Sequence, residues 1–400
     1  MAITDINEYA HLTDADVEAL GAELDALRRE IEADRGLRDV RYLRRTIVAH
    51  RALEVVGRVA LLGSHKRSLW WLGTGSLALS KIIENMELGH NVMHGQWDWM
   101  NDPEVHSTTW EWDMVCASPH WKHSHNYIHH KYTNVVGMDD DVGYKILRVT
   151  RDEPWEPRRA FQPLFNVLLA LTFEWGIGLH DLALKEVIEG RKSKEEAIPQ
   201  IKLFLRKIGR QVAKDYVLFP VLSGPNARHT LTANLSANVI RNLWAYVVIF
   251  CGHFPDGAEK FTTESLEDET HGQWYLRQML GTANFNAGPA MAFLSGNLCY
   301  QIEHHLYPDL PSNRYAEIAE RVRALCDKYD LPYTTGSLFV QYMKTLRTIN
   351  KLALPDQFLR DTADDAPETA SERRFAGIPR AAGGLKSAIA DLKRNKLSRK

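Results

Sequence analysis

Seventeen histidines in a chain of 400 residues are set in a pattern that suits metal binding. His90 and His94 are spaced i, i+4, which on a helix puts both imidazoles on one face. His125 and His129 repeat the spacing. His130 adds a ring turned about 100° from its neighbour, so adjacent rings can serve two ions. Gln301, His304 and His305 stand at i, i+3 and i+4, and His253 closes an apolar stretch in the sequence CGHFP. Imidazole suits iron, zinc, copper and nickel. A single zinc needs only four ligands, so eight imidazoles in four segments require two ions. Neutral rings leave the charge of those ions uncompensated, which suits a centre that binds dioxygen-derived anions. Glu87, Asp139, Asp140, Asp141 and Glu303 lie close enough in sequence to orient the rings. His106, His120 and His123 read as neighbours of the site or surface residues, with His120 the best placed. His11, His50, His65, His180, His229 and His271 read as ordinary histidines.

The elements that must position these rings are helical. From Thr13, the sequence TDADVEALGAELDALRREI sets Val17, Leu20, Leu24, Leu27 and Ile31 at spacings of three and four. Thr13 and Asp16 form a capping box. This amphipathic helix is expected to lie on a protein or membrane surface. Residues 47–63 (IVAHRALEVVGRVALLG) and 68–89 form one candidate membrane hairpin, and 216–235 with 239–254 a second. None is an uncharged run of about 20 residues, so buried helices of a soluble α-protein remain the alternative. Residues 164–184 read as a helix at the interface, or as a fifth span. Basic stretches at 35–45 and 185–214 place the hairpin ends on the cytoplasmic side, against which the SHKR turn at 64–67 argues. A helix is expected within 311–330, with Tyr315, Ile318, Val322 and Leu325 on one face.

Composition narrows the class. Hydrophobic residues make up 44% and charged residues 25%, which excludes a disordered or collagen-like chain. A formal net charge of −2 leaves no excess of cations for nucleic acid. The mean hydropathy of −0.33 fits a few spans under a large polar cap. Cys116, Cys251, Cys299 and Cys326 form no CxxC pair and read as reduced thiols facing a cytosol. No signal peptide is expected, because the first apolar run comes late and lacks a small-residue cleavage site.

The three clusters, read as HxxxH, HxxxHH and QxxHH, resemble the histidine boxes of the membrane fatty acid desaturase family. Longer stretches, among them KIIENMELGHNVMHGQWDWMNDPE and GNLCYQIEHHLYPDLPSNR, are similar to its acyl-CoA 9-desaturases over nearly the whole chain. The resemblance implies an all-α integral membrane fold, with about four transmembrane helices carrying a cytosolic helical cap. Residues 1–45 would form an N-terminal cytosolic region, 46–360 the desaturase domain, and 361–400 a polar, basic, disordered tail. It implies two non-haem iron ions held by His90, His94, His125, His129, His130, His304 and His305, with His253 as a further ligand. Gln301 stands where acyl-CoA desaturases of animal type have histidine. An amide oxygen is the poorer ligand for Fe(II), so Gln301 is expected to coordinate weakly or through water.

The reaction such a centre supports is oxygen-dependent desaturation. Two hydrogens leave adjacent methylenes of an acyl chain (by resemblance a long-chain acyl-CoA such as stearoyl-CoA, at Δ9), a cis double bond remains, and with two further electrons and two protons O₂ becomes two waters. An unactivated methylene has no acidic hydrogen, so acid–base chemistry alone cannot do this. Trp97, Trp99, Trp110, Trp112 and Trp121 can line the head of an acyl tunnel or serve as core and interface aromatics. The chain has no GxGxxG, no cysteine quartet and no HPGG haem loop, so electrons must come from outside. The resemblance implies that NADPH acts only indirectly, through a separate flavin/iron–sulfur reductase. The expected location is the inner cell membrane, multi-pass, with active site and termini cytoplasmic. Two alternatives stay open, a same-fold alkane or acyl hydroxylase and a non-enzymatic membrane metal carrier. A soluble ferritin-like carboxylate enzyme would need a second Glu-x-x-His beside Glu87-Leu-Gly-His90 and two further glutamates, and the cluster region 87–305 has no second one.

Overall fold

The computed structural model describes residues 9–255 and 257–359; the tail expected over 361–400 lies outside the described residues. The regular structure of those residues is all helical, joined by loops, with two isolated bridges (Val135 to Phe261, Asn286 to Ser337) and no strand. Helix α1 (Asp14–Ala33) begins where the capping box requires. Thr13 Oγ1 accepts from the Asp16 amide at 3.2 Å, and Asp16 Oδ2 accepts from the Thr13 amide at 2.9 Å. Its five predicted apolar positions are buried.

Helices α2 (Leu37–Leu61) and α3 (Arg67–Ile82) form the first hairpin. They cross at Gly57 and Gly73, where a Cβ on either would lie 3.2 Å from the other's carbonyl oxygen. Small residues permit that approach. The helical path of α3 continues through π-helical Ile83–His90 and then Asn91–Met93, which carries it into the first cluster. Helix α4 is Ser118–Trp121, π-helical Lys122–His129 and His130–Tyr132 in sequence. The interfacial helix expected over 164–184 breaks at Thr172 into α5 (Gln162–Leu171) and α6 (Phe173–His180), bent by 103°.

The second hairpin corrects the sequence reading. Its first leg is α7 (Lys194–Val212), extended by π-helical Ala213–Leu218 and by Phe219–Leu222. Its second leg is one unbroken helix, α8 (Ala227–His253). The turn lies at Gly224–Asn226, where Gly224 adopts φ +54° and Pro225 follows, rather than at residues 236–238. The polar Asn234 and Asn238 of that stretch are buried within the unbroken helix. Asn234 donates to the Asp215 carbonyl at 2.5 Å, and Asn238 to the Tyr216 hydroxyl at 2.8 Å.

By length and composition, Gly224–His253 is the one straight helix among the described residues able to cross a membrane, with the bent pair as a second candidate. Charges interrupt the apolar runs of the legs; Lys81, Asp215, Arg241 and Glu174 are buried, while Arg51, Arg206 and Arg210 stay exposed. Lys81 and Arg58 pair with Asp215 at 2.8 and 3.2 Å, and Arg241 pairs with Glu174. The outward faces are apolar: Val55, Val59, Trp71, Val221 and Leu222 are all exposed. The two turns meet at one end of the bundle, where Asn226 donates to the Leu62 carbonyl at 2.7 Å. The histidine clusters lie at the other.

Helices α9 (His271–Leu280), α10 (Gln301–Leu306), α11 (Tyr315–Lys328) and α12 (Leu338–Leu352) complete the cap. Helix α1 closes over α9 and α11. Gly272 sits so close that a Cβ would meet the Val17 carbonyl oxygen at 2.5 Å. Within α11, Tyr315, Ile318 and Val322 are buried as expected, and Leu325 only partly. All four cysteines are buried and free.

Candidate metal centre

Four elements bring the histidines together. The π-helical end of α3 supplies His90 and His94, α4 supplies His125, His129 and His130, α8 ends on His253, and α10 carries His304 and His305. Two groups result. One is His90, His94, His125 and His304; the other is His129, His253 and His305; within each, the ligand nitrogens lie within 4.8 Å of one another. The i, i+4 pair His125/His129 and the adjacent pair His304/His305 are thus each divided between the groups. His130 stands between them, its ring 4.7 Å from His94, 4.9 Å from His304 and 4.4 Å from His305.

The hydrogen bonds fix which nitrogen faces the centre. His129 Nδ1 meets Asp139 at 2.9 Å and His125 Nδ1 meets Asp141 at 3.1 Å. His305 Nδ1 meets Gln278 Oε1 at 3.1 Å, and His304 Nδ1 meets the Tyr315 hydroxyl at 3.2 Å. The Tyr315 hydroxyl itself donates to the Tyr307 carbonyl at 3.1 Å. Each ring therefore gives its Nδ1 proton outward and turns the Nε2 lone pair inward, the tautomer a metal needs.

The inward atoms have no protein partner. Nε2 of His94, His125, His129 and His305, both nitrogens of His130, Nδ1 of His253 and Oε1 of Gln301 are buried with no hydrogen bond. His90 and His304 oppose Nε2 to Nε2 at 3.3 Å. Each unpaired buried polar atom costs about 1–3 kcal/mol, and cations among them would remove that cost. Burial, with neighbouring rings, holds His130, His304 and His305 well below the usual imidazole range, so they are neutral as ligation demands. Burial pushes His129 down too, but Asp139 and Asp141 more than offset it and raise it.

Several sequence expectations change. Of the five carboxylates, Asp139 and Asp141 hold rings. Asp140 instead pairs with Lys145 at 2.7 Å, Glu303 bonds Asn284 and Tyr333, and Glu87 bonds Ser312 and Asn297. His180, read as ordinary, faces the second oxygen of Asp141 at 3.4 Å. His120 stays half-buried, His106 bonds Thr108, and His123 stacks on Tyr127. Among the tryptophans, Trp121 flanks the centre, stacking on His125 at 4.5 Å with Trp112 behind it at 5.2 Å. Gln301 lies 3.0 Å from His253 Nε2. Gln278 and Tyr315 carried no sequence signal, the first lying in a polar helix and the second on an apolar face.

This imidazole cage at the end of a helical bundle defines a class, and the sequence comparisons agree with it. The profile of the fatty acid desaturase family matches residues 68–337, and the chain belongs to that family. It is 61% identical to the NADPH-dependent stearoyl-CoA 9-desaturase of Mycobacterium tuberculosis, across all of this chain and 97% of that relative. It is 23% identical to the sn-1 linoleoyl-lipid 6-desaturase of Synechocystis, across 67% of this chain and 76% of that protein.

Proposed function

We propose that this enzyme is a membrane-embedded acyl-CoA desaturase, introducing a cis double bond at position 9 of stearoyl-CoA with electrons from NADPH delivered by a separate flavin/iron–sulfur reductase. The observation that carries the reading is the buried array of inward, unpartnered imidazole nitrogens in a fatty acid desaturase chain. The first group would hold one iron and the second the other, with His130 between them and Gln301 beside His253. Bound iron supplies the redox and dioxygen chemistry that an unactivated methylene requires. The protein's own residues do the rest. Asp139, Asp141, Gln278 and Tyr315 fix the ring orientations, Trp112 and Trp121 wall the centre, and the sealed packing keeps bulk water away.

The apolar outer faces and inward ion pairs support four membrane-crossing legs: α2, α3, the extended α7 and α8. Their turns would face outward and the metal end the cytoplasm. The direct test is expression with an NADPH-dependent reductase in a host lacking the activity, followed by acyl-chain analysis. New 9-monounsaturated chains, lost in His129→Ala, are the expected result. A hydroxylated product, or no product despite bound iron, would overturn the assignment.

A further inference from the structure

A cavity of about 1020 Å³ lies outside the histidine cage, between α2 and the segment leading into α10. That space matches the upper end of small-ligand sites. One α2 stripe forms its wall: Arg38, Arg41, Arg45 and then Ala49, about 16 Å along the helix at 1.5 Å per residue. The arginine end faces the cap, where Arg38 meets Glu317, and Ala292 and Phe293 line the cavity from the facing segment, Phe293 edge-on to Tyr42 at 6.4 Å. Below it, Val48, Val55 and Val59 begin the apolar outer face. A polar mouth thus sits over an apolar trough at the level where the cap meets that face.

The arginines divide by the face they occupy. Arg44, pointing away, pairs with Asp102, and Arg38 at the rim meets both oxygens of Glu317 at 3.0 Å. Arg41 and Arg45 are exposed and make no ion pair with any described residue. The floor is close to the site: Asn297 donates to the Tyr42 hydroxyl at 3.2 Å and to Glu87 at 3.1 Å, one turn before His90.

We infer that this cavity binds a phosphate-bearing acyl amphiphile, with its phosphate oxygens on Arg41 and Arg45 and its tail along Ala49, Ala292 and Phe293. Guanidinium forks match phosphate geometry, and the trough offers the tail a dry surface. Two sources share that chemistry, an acyl-CoA and an anionic phospholipid of the bilayer. The acyl-CoA arm rests on the desaturase reading.

The test uses the full chain in phosphatidylcholine nanodiscs, titrated with stearoyl-CoA in one arm and prepared with added phosphatidylglycerol in the other, with bound lipid counted by native mass spectrometry. Arg41→Ala/Arg45→Ala should weaken binding roughly 10-fold or more, charge-assisted contacts being the strong ones. Ala292→Trp, which fills the trough, should do the same, whereas Arg44→Ala should not. Response to stearoyl-CoA alone assigns a substrate site, and response to phosphatidylglycerol alone a lipid site; either supports the inference. Wild-type affinity for both probes in the double variant, or no binding of either by wild type, overturns it. Iron per chain, measured on the same samples, separates the outcomes. Loss of iron binding in wild type would break the desaturase reading and leave the binding result standing.

Discussion

Asp139 shows how much of the centre rests on residues that are not ligands. Its carboxylate accepts from His129 Nδ1 and from the amides of Asn134 and Asp141, at 2.8 and 2.9 Å for the two amides. Turning and holding a ring in this way makes a difference of roughly 10–100-fold in metal affinity. Asp139→Asn should therefore weaken iron binding by that order while leaving the fold intact, and Gln301→Ala should fall in the same range. Competitive chelator titration of iron from the purified variants measures both. If Gln301→Ala lost iron as completely as His304→Ala, the glutamine would be a direct ligand. The rings themselves were legible because their spacing repeats, and a metal site constrains spacing. Their partners were not: Asp139 and Asp141 look like a solvated loop until it folds back on α4, and His180 comes from another helix 39 residues beyond Asp141.

The elements bend where the chemistry lies. Ordinary α-helical geometry was the expectation for both HxxxH clusters, but each is reached through a π-helical turn, Ile83–His90 and Lys122–His129. Such turns occur often at functional sites and shift the angular placement of the residues that follow. His125 and His129 still share a face, their rings stacked at 4.9 Å, yet they fall in different all-histidine groups. Periodicity cannot show the π-helical turns, since the same residues satisfy either geometry. The connection into α10 is equally exacting. Gly296 adopts φ +69°, and a Cβ there would lie 2.3 Å from the Met86 carbonyl oxygen. Gly296→Ala should destabilise the protein by about 1–3 kcal/mol through left-handed strain alone, with steric displacement of the α3 end added. Thermal unfolding of detergent-solubilised protein measures the loss, and an unchanged midpoint would contradict the packing described.

At the scale of the whole molecule, charge placement explains why most of the spans expected from the sequence do not stand out by composition. Helix α1, its capping box and the first hairpin could be read from period and composition, whereas the turn of the second hairpin could not. The span count could not, because Arg58, Lys81, Asp215, Glu174 and Arg241 interrupt the apolar runs although Arg58 and Lys81 pair with Asp215, and Arg241 with Glu174, inside the bundle. Removing one member should expose the arrangement. Asp215→Asn leaves Lys81 and Arg58 short of a counter-charge, and breaking a buried pair in this way costs about 3–5 kcal/mol. A lower unfolding midpoint is expected, partly recovered when Lys81→Met is added. Equal stability of Asp215→Asn and wild type would mean that these groups are solvated rather than buried together.

The central claim is that one cage of imidazoles holds two metal positions, and counting iron tests it most directly. Purified protein reconstituted anaerobically with ferrous iron should carry about two ions per chain. His304→Ala, which removes a member of the first group alone, should retain about one, held by His129, His253 and His305. Elemental analysis paired with Mössbauer spectroscopy reads both the count and the nitrogen-rich environment. A wild type that holds no iron, or a His304→Ala variant that keeps the full wild-type complement, would contradict the account.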